Sequence, residues 1–576
     1  MAQFRTDLDD IHFNLFELFK VQDGQHDLAV ADLKEIIKEF EKFVAKDIYP
    51  TREVGDVEGV QLTDEGVKVP AIFHVANKGM YDNGWYALGL PESIGGMPAP
   101  EAVVLACSSI ATGASVAFTM YNGLTRAAMN VILKKGNEQQ NSLYIPKMME
   151  GAWGGTMCLT EPGAGSDVGA ANTLAVPREQ GGFSIKGVKI FISSGDSDLY
   201  ENNIHLVLAR TPEAPKGSKG LSLFIVPKTS INEDGSLAES NHVQCTKVEE
   251  KMGLHGSSTC ELTFGQTGEC VGHLLGDEFA GMTNMFIMMN EARLLCGMQG
   301  ESQANLCALF TEQYARERSQ FGTEIINHPD VKRMVLKMRA EARGMRVLNL
   351  YIANLMDRER EGEADLADEI ALLTPVSKGY CTEKALDVAI DAVQVHGGYG
   401  YCKEYAVEQF VRDITVAKIY EGTNGIQAID FVLRKILKNN GVAFNSLKKK
   451  INETINLKEA AQWKEELALL QKNIEKAEKI VGQYGKWGMQ KKYDKILESC
   501  FDFMMFSGRL ITAWLLLRGA ITASALLPSA DNEERKKYLR SKIVDFKVYC
   551  RHCLVQNSAT SLSILSFSEG IENLEV

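Results

Sequence analysis

The sequence shows little of the patterning that is typical of an export signal or a membrane span. Its start, Met1–Lys20, contains several acids and no long apolar core, so we expect neither a secretory signal nor a transit peptide. A clean bilayer span is also missing, because the most apolar stretch, Met504–Leu527, contains Arg509 and Arg518. We therefore expect a buried or interfacial helix there, and a cytoplasmic protein.

The motifs of several common enzyme classes are absent as well. There is no H-E-x-x-H, no G-x-S-x-G and no Walker-type lysine loop. The chain has 12 cysteines, but its one C-x-x-C, Cys550–Cys553, has no second pair at zinc spacing. We therefore expect reduced thiols and no metal site.

Excess positive charge is missing from most of the chain. Residues 441–576 hold 21 Lys and Arg against 16 Asp and Glu, a net charge of +5, within a chain whose net charge is −13. The rest therefore carries −18, which makes it a poor ligand for polyanions, and we expect no nucleic-acid partner. The basic C-terminal segment marks either a domain boundary with a solvated helical face or a partner surface.

The 576 residues are enough for two to four domains. Helical periodicity dominates the first part, where the run Val30–Ile48 has apolar residues at three- and four-residue spacing and should end before Pro50. Short β-branched and aromatic runs follow and predict strands at Phe183–Ser193, Asn203–Arg210, Leu221–Pro227 and Thr259–Gly265, and helical patterns then return. Because the strands do not alternate with helices, we expect an α+β fold and no doubly wound parallel sheet. The predicted domains are helical at 1–152, β-rich at 153–276, helical at 277–440 and helical again at 441–576, after a linker near Asn439–Gly441.

Four glycine-rich segments are candidates for binding or catalysis: Met157–Asp167, Arg318–Gly322, Gln394–Gly400 and Lys418–Asp430. Their glycines either let backbone N–H groups face a phosphate or a flat ring, or simply form surface loops. The first segment is not a dinucleotide fingerprint, because Gly169 comes one residue too late.

Single residues in these segments have two interpretations each. Arg318 either pairs with a pyrophosphate or with a surface carboxylate. Gln394 either binds a ligand or precedes a helix end at Gly397. Glu421 either ends a helix, with Gly422 as C-cap and Tyr420 in the core, or is a carboxylate placed for catalysis.

Taken together, these segments resemble the acyl-CoA dehydrogenase family over residues from about 30 to 440. The matching motifs are CLTEPGAGSD (158–167), RSQFG (318–322), QVHGGYGY (394–401) and IYEGT (419–423), with weaker matches at GLPESIGG (89–96) and NEARLLCGMQG (290–300). The N-terminal and C-terminal segments resemble those of an enlarged subfamily. The resemblance implies an N-terminal helical domain, a central β-barrel domain, a four-helix bundle and an extra C-terminal helical domain, with FAD between barrel and bundle.

The same resemblance implies the residues of the site. Phe191–Ser193 stand where the family usually has Trp-Ile-Thr, so the flavin contacts there are altered in detail. The implied FAD-binding residues are Met157, Leu159, Thr160, Gly165, Ser166, Phe191, Ile192, Ser193, Arg318, Phe321, Gln394, Val395, Gly397, Gly398, Thr423 and Gly425. The implied acyl-CoA-binding residues are Ser166, Arg293, Tyr420 and Gly422, and no metal is implied.

Glu421 stands where most members of the family place the catalytic base. Others use a glutamate immediately before Arg293, but here that residue is Ala292, and Glu291 lies roughly 100° further around a helix. The resemblance implies FAD-dependent dehydrogenation of an acyl-CoA to the trans-2-enoyl-CoA, with Glu421 taking the α-proton and electrons passing to an electron-transfer flavoprotein. It also favours a homodimer.

Two alternatives share this fold. An acyl-CoA oxidase would use the same base and pass electrons to oxygen. A flavin-bearing, DNA-associated protein would use the basic C-terminal segment, although the −18 charge of the remainder opposes this. That segment is also a candidate for weak docking to a membrane or partner, through the helix around Trp514–Leu517.

Overall fold

The computed structural model describes residues 4–438 and 440–566. Asn439, in the predicted linker, and the chain ends 1–3 and 567–576 lie outside the described residues. The chain divides into two compact units. The helical unit comprises residues 1–41, 100–113 and 293–576, and the barrel unit comprises residues 42–99 and 114–292.

Most of the described chain is helical. The α-helices are α1 (Leu8–His12), α2 (Val30–Phe43), α3 (Pro50–Glu58), α4 (Ala71–Asp82), α5 (Glu101–Ala114), α6 (Val116–Lys135), α7 (Glu138–Met149), α8 (Gly281–Glu317), α9 (Pro329–Arg360), α10 (Ala367–His396), α11 (Val407–Thr415), α12 (Asn424–Ile429), α13 (Val442–Ile455), α14 (Lys464–Met489), α15 (Tyr493–Leu526), α16 (Glu533–His552) and α17 (Asn557–Ser566).

The strands lie mainly between α7 and α8. They are β1 (Gln61–Thr63), β2 (Gly66–Lys68), β3 (Trp153–Cys158), β4 (Leu174–Pro177), β5 (Phe183–Ser193), β6 (Asn202–Arg210), β7 (Leu221–Pro227), β8 (Thr229–Ile231), β9 (Leu237–Ser240), β10 (Val243–Val248), β11 (Thr259–Phe264), β12 (Val271–Leu274), β13 (Ser319–Gln320) and β14 (Thr323–Glu324).

The barrel unit is built on an eight-stranded sheet with the order β10-β11-β5-β12-β7-β6-β3. Strand β4 pairs with both β5 and β6, which closes a ring through β5, β12, β7, β6 and β4. Closure removes exposed sheet edges from the ring. All seven residues of β7 are buried, as expected for a strand that is covered on both faces.

The helical unit contains close helix contacts made at glycines. A Cβ at Gly300 of α8 would lie 2.7 Å from the Cys381 carbonyl oxygen of α10, and one at Gly379 would lie 2.2 Å from Met504 of α15. A side chain at Gly300 would force α8 and α10 apart, since real Cβ atoms do not approach a backbone oxygen so closely, whereas at Gly379 the close atom is the flexible end of the Met504 side chain. Backbone contact between α8 and α10 therefore depends on Gly300.

A buried ion network connects the N-terminal segment to α9 and α16 within the helical unit. Asp10 accepts hydrogen bonds from Lys542 Nζ at 2.7 Å and from Arg346 Nη1 at 3.2 Å. Arg343 Nη1 donates to Asp545 at 2.8 Å. Burial opposes ionisation of Asp10, but the charges of Lys542, Arg343 and Arg346 outweigh it and hold the pKa of this carboxyl below its usual value. The C-terminal helices are thus attached by charge as well as by apolar packing.

One described helical segment, Tyr493–Ser529, is long and apolar enough to cross a membrane by length and composition alone. It includes the predicted apolar helix Met504–Leu527, and 61% of its most apolar window is buried inside the protein. Arg518 of this helix lies over the rings of Phe19, Tyr351 and Trp514. Its charge is therefore accommodated by aromatic faces.

The predicted α+β class is confirmed, with a β-rich centre between helical regions and further helices after residue 441. The strands predicted at Phe183–Ser193 and Leu221–Pro227 have the observed bounds of β5 and β7. The helical run that begins at Val30 continues as a π-helix to Ile48 and ends before Pro50, as predicted. Pro50 also begins α3, because a proline in the first turn needs no N–H and already has a helical φ.

Candidate functional site

In the barrel unit, the segment after β3 is fixed by a buried ion pair. The Glu161 carboxylate accepts bonds from Lys189 Nζ at 2.8 Å, from Asn172 N at 2.6 Å and from Thr173 N at 3.0 Å. Lys189 Nζ also donates to the Leu159 carbonyl at 2.9 Å. These bonds hold the backbone on both sides of Thr160, so the position of this predicted ligand residue is set by buried groups.

The other predicted residues of this segment differ in exposure. Leu159 is buried in the barrel unit's apolar core, and Met157 packs against that core from the end of β3. Gly165 and Ser166 are exposed, and a Cβ at Gly165 would meet no atom of the described residues within 4 Å. The glycine therefore leaves open space beside the backbone, as a bound flat or phosphate-bearing group would need.

Strand β5 ends in a β-bulge that turns Phe191 outward. Cys260 pairs with Ile192 and Leu262 with Lys189, so β5 has one residue more than β11 at this point. Phe191 has φ +57° and is 59% exposed, whereas Ile192 is buried and Ser193 half-buried. Bulges re-aim side chains near functional sites. Here the bulge presents a bare aromatic ring next to the Thr160 segment, since the Ile190 N–H donates to the Thr160 carbonyl at 2.9 Å.

In the helical unit, the RSQFG motif forms the β13–β14 hairpin. Phe321 and Gly322 form its tip with φ +54° and +79°, which matches a two-residue turn with both φ angles positive. The Phe321 side chain is 95% exposed. Arg318 is also exposed, with its guanidinium 5.6 Å from the centre of the Tyr399 ring.

The QVHGG motif lies at the C-terminal end of α10. Gln394 is exposed, and a Cβ added at Gly397 or at Gly398 would meet no atom within 4 Å in the part of the chain that the structure describes. Val395 belongs to a small apolar core with Ala315 and Ile325, so its side chain supports the helix end. His396 stacks on Tyr314 at a ring-centre distance of 4.2 Å.

Glu421 lies in a left-handed turn between the 3₁₀ turn Val416–Lys418 and α12. Glu421 has φ +56° and Gly422 has φ +82°, an uncommon and strained conformation for a glutamate. Thr423 caps α12 by accepting a bond from the Ile426 N–H at 3.3 Å. Gly425, in the first turn of α12, is exposed.

The two carbonyls of this turn are bound by buried side chains. Gln427 Nε2 donates to the Glu421 carbonyl at 2.9 Å, and Lys378 Nζ donates to the Gly422 carbonyl at 2.8 Å. Lys378 also donates to Asn424 Oδ1 at 2.8 Å. The strained turn is therefore held from α10 and from α12.

Glu421 is half-buried as a residue, but its carboxylate is incompletely paired and reaches inward. Its Oε2 is buried and has no hydrogen-bond partner among the described residues. Burial raises its pKa to about 7, against the opposing influence of the Arg293 and Lys378 charges. Arg293, on α8, lies 3.8 Å from Asp430 Oδ2 and is itself buried. A carboxylate with this pKa is partly ionised near neutral pH and more basic than an exposed glutamate.

Tyr420 contributes to the same neighbourhood, since its hydroxyl donates to Gln299 Oε1 of α8. Three groups around Glu421 were not predicted from the sequence: Lys378, Gln299 and Gln427. Each lies inside a helix, where nothing in the sequence separates it from a surface residue. Glu291, the weaker rival for a base, accepts bonds from Asn130 Nδ2 at 3.0 and 3.3 Å in the barrel unit.

The chain matches four family models along most of its length. They are the acyl-CoA dehydrogenase N-terminal domain at residues 31–152, its middle domain at 156–267, its C-terminal domain at 280–437, and the acetyl-CoA dehydrogenase C-terminal-like domain at 447–574. The chain belongs to the acyl-CoA dehydrogenase family. This confirms the predicted family and enzyme class, and acyl-CoA dehydrogenases are FAD-dependent flavoproteins, as the resemblance implied.

Full-length relatives carry acyl-CoA dehydrogenase names. The 3-methylmercaptopropionyl-CoA dehydrogenase of Ruegeria pomeroyi is 35% identical, with 95% of this chain and 94% of the relative covered. The broad-specificity linear acyl-CoA dehydrogenase FadE5 of Mycobacterium tuberculosis is 34% identical, with 100% and 99% covered. These names support acyl-CoA dehydrogenation in general.

The fold of the whole chain also has a solved counterpart. The crystal structure of Caenorhabditis elegans ACDH-11 in complex with C11-CoA aligns with a TM-score of 0.78 at 18% identity. It covers 100% of this chain and 97% of the other. At this identity the likeness extends to the fold, including the additional C-terminal helices.

Proposed function

We propose that this enzyme dehydrogenates an acyl-CoA thioester between Cα and Cβ, giving the trans-2-enoyl-CoA, with Glu421 as the base that removes the α-proton. The observation that carries the proposal is the Glu421 turn. A buried carboxylate with a raised pKa and an unpaired oxygen is held in a strained conformation beside two cations. Strain of this kind persists where the surrounding structure over-determines it.

The electrostatics suit proton removal at neutral pH. With a pKa of about 7, Glu421 is sufficiently ionised to act and sufficiently basic to take a weakly acidic proton. Arg293 and Lys378 limit the rise in pKa, so the carboxylate is not kept permanently protonated. Activity should therefore fall as the pH decreases below about 7.

The backbone of the same residue offers a donor for the thioester oxygen. Among residues 4–438 and 440–566, the Glu421 N–H donates to no protein acceptor. A preorganised N–H directed at a developing enolate oxygen stabilises the transition state, and removal of one such donor typically costs on the order of a hundredfold in rate. The turn needs a glycine at position 422, because its φ is +82° and a Cβ there would lie 2.9 Å from Gln427 Nε2.

Each unit, taken by itself, contains residues that fit a part of FAD. In the barrel unit, Thr160, Gly165 and Ser166 combine a fixed backbone with open space, and Phe191 presents an exposed ring. In the helical unit, exposed Arg318 and the open Gly397–Gly398 backbone suit a pyrophosphate. When bound, FAD supplies the acceptor for the β-hydrogen, which leaves with its electron pair. The protein's own residues bind the cofactor and hold Glu421 at the proton.

Partners and location follow from the same proposal. We assign an electron-transfer flavoprotein as the acceptor of the reducing equivalents and a homodimer as the active assembly, in a cytoplasmic enzyme. The Phe321 ring, 95% exposed at a hairpin tip, supports the dimer, since an isolated aromatic ring of this exposure is suited to burial by a second subunit.

The test is anaerobic bleaching of the purified protein's flavin absorbance by acyl-CoAs from short to long. We expect one chain-length class to bleach the wild type, and Glu421→Gln to keep FAD while losing at least a hundredfold in reduction rate. Glu404→Gln changes an exposed glutamate and is the matched control. If no acyl-CoA bleaches the wild type, or if Glu421→Gln is reduced at the wild-type rate, the proposed chemistry is wrong.

The electron acceptor is tested in the same preparation. Reduced enzyme should be reoxidised rapidly by an electron-transfer flavoprotein and slowly by dissolved oxygen. Fast oxygen consumption with peroxide formation would instead assign an acyl-CoA oxidase. Light scattering of the purified protein tests the homodimer, and a monomer with full activity would overturn that part.

A further inference from the structure

The ammonium of Lys378 lies beneath the Glu421–Gly422 turn. Lys378 is completely buried in the middle of α10, and its Nζ lies 2.8 Å from both the Gly422 carbonyl and Asn424 Oδ1. A buried lysine destabilises the fold unless its ammonium is hydrogen-bonded or paired, because burial removes the hydration of the ammonium. Here the charge is directed at the backbone that carries the proposed base.

Asn424 extends this contact into a lock between α10 and α12. Its Nδ2 donates to Thr382 Oγ1 at 3.0 Å and to Glu383 Oε1 at 2.9 Å. Glu383 in turn pairs with Lys418 Nζ at 2.7 Å, in the turn that precedes Glu421. The segment 418–424 is thus attached to one face of α10 at both of its ends.

The left-handed conformation needs such an attachment. A non-glycine residue with φ near +56° is strained by about 1–3 kcal/mol and relaxes unless neighbouring groups hold it. The Lys378 and Gln427 bonds fix the carbonyls of the two left-handed residues. Rotation of either peptide would break one of these buried bonds and leave an unpaired polar group.

We propose that Lys378 is a positioning residue for the dehydrogenation, whose ammonium locks the Glu421–Gly422 turn and keeps the base in its working geometry and charge state. This inference rests on the proposed function of Glu421. It adds a role for a residue that does not itself contact the reacting atoms.

The charge of Lys378 acts on Glu421 together with a defined set of neighbours. Facing this region are Arg293 and Cys296 from α8, Glu383 from α10, and Glu421 itself. Burial lowers the pKa of Lys378 to about 8, so the ammonium remains protonated at neutral pH. Because Lys378 lowers the pKa of Glu421, its removal should raise that value.

The test compares Lys378→Met with Lys384→Met. Lys384 is also a buried lysine of α10, but its Nζ pairs with Asp387 at 2.7 Å. We expect Lys378→Met to lower kcat about tenfold to a hundredfold with little change in KM. The acid limb of kcat/KM should move up by about one pH unit or more. Lys384→Met should leave kcat and the acid limb of kcat/KM unchanged.

Hydrogen–deuterium exchange of FAD-loaded protein without substrate gives a readout that does not depend on turnover. The peptide spanning residues 416–427 should exchange at least tenfold faster in Lys378→Met and at the wild-type rate in Lys384→Met. If Lys378→Met does not accumulate as folded protein, Thr382→Val weakens the same lock through Asn424 and should accelerate the same peptide by less. An unmoved acid limb together with unchanged exchange would overturn the positioning role.

The two proposals can fail separately. If acyl-CoAs reduce the wild type and Glu421→Gln abolishes the reduction, the dehydrogenation stands whatever Lys378→Met does. If no acyl-CoA reduces the wild type but exchange still increases in Lys378→Met, the lock exists and the proposed chemistry is wrong.

Discussion

Glu421→Gln should stabilise the folded protein at high pH, and the size of this gain can be worked from the structure. Burial raises the pKa of Glu421 from 4.5 to about 7. One pKa unit corresponds to about 1.4 kcal/mol, so the ionised carboxylate costs the native state about 3 kcal/mol. A neutral glutamine of the same shape avoids this cost.

The sign follows from proton binding. Between pH 4.5 and pH 7 the native state holds a proton that the unfolded chain has lost, so the wild type loses stability as the pH rises through this window. The variant has no such group. The advantage of Glu421→Gln should therefore be close to zero below pH 4.5 and reach about 3 kcal/mol above pH 8.

The assay is urea unfolding of both proteins saturated with FAD, followed by tryptophan fluorescence at several pH values. With an m-value of about 3 kcal/mol/M, the midpoint should shift by about 1 M at pH 8.5. Glu404→Gln, at an exposed position, should give no pH-dependent difference. The reasoning would be refuted if Glu421→Gln were less stable than the wild type at pH 8.5. It would also be refuted if the urea midpoint shifted by the same amount at all pH values.

Two further predictions concern the buried ion pairs. Lys189→Met leaves Glu161 buried without its cation and frees the Leu159 carbonyl, so it should cost about 3–5 kcal/mol of unfolding free energy and lower the FAD content of the purified protein. Lys186→Met, an exposed lysine of the same strand, should do neither. Asp10→Asn should cost about 3–5 kcal/mol at pH 7, whereas Asp9→Asn, exposed one residue earlier, should stay within about 0.5 kcal/mol in urea unfolding. The Asp10 effect should shrink as the pH falls below 3.8, because the low pKa of Asp10 stabilises the fold only while the carboxylate is ionised.

Elements with a strong local pattern could be predicted from the sequence. Strands β5 and β7 are runs of β-branched and aromatic residues with turn formers on both sides, and their bounds matched the prediction. That Pro50 begins a second helix was not predicted, because the same residue ends one helix pattern and is favoured in the first turn of the next. Local sequence does not distinguish these two uses.

The residues of the candidate site also fall into those that the sequence predicts and those that it does not. Thr160, Arg318 and Glu421 were predicted as site residues because their segments resemble a family, and they remain predictions. Lys378 was not predicted, because the local sequence VSKGYC gives no sign that this lysine is buried. Its hydrogen-bond partner Gly422 lies 44 residues away. The bulge that exposes Phe191 was also out of reach, because it depends on pairing with β11.

The two buried glutamates of the motif segments have opposite hydrogen bonding, and this separates their roles. Although burial opposes ionisation of Glu161, Lys189, the Asn172 N–H and the Thr173 hydroxyl outweigh it and lower its pKa. A carboxylate whose two oxygens both accept hydrogen bonds and whose pKa is lowered cannot easily accept a substrate proton. Glu421 Oε2 accepts no bond from the described residues, and its pKa is about 7. The unpaired Oε2 destabilises the folded state, and the same atom is available to accept a proton. A substitution that supplied Oε2 with a buried donor should therefore stabilise the protein and slow the reaction together.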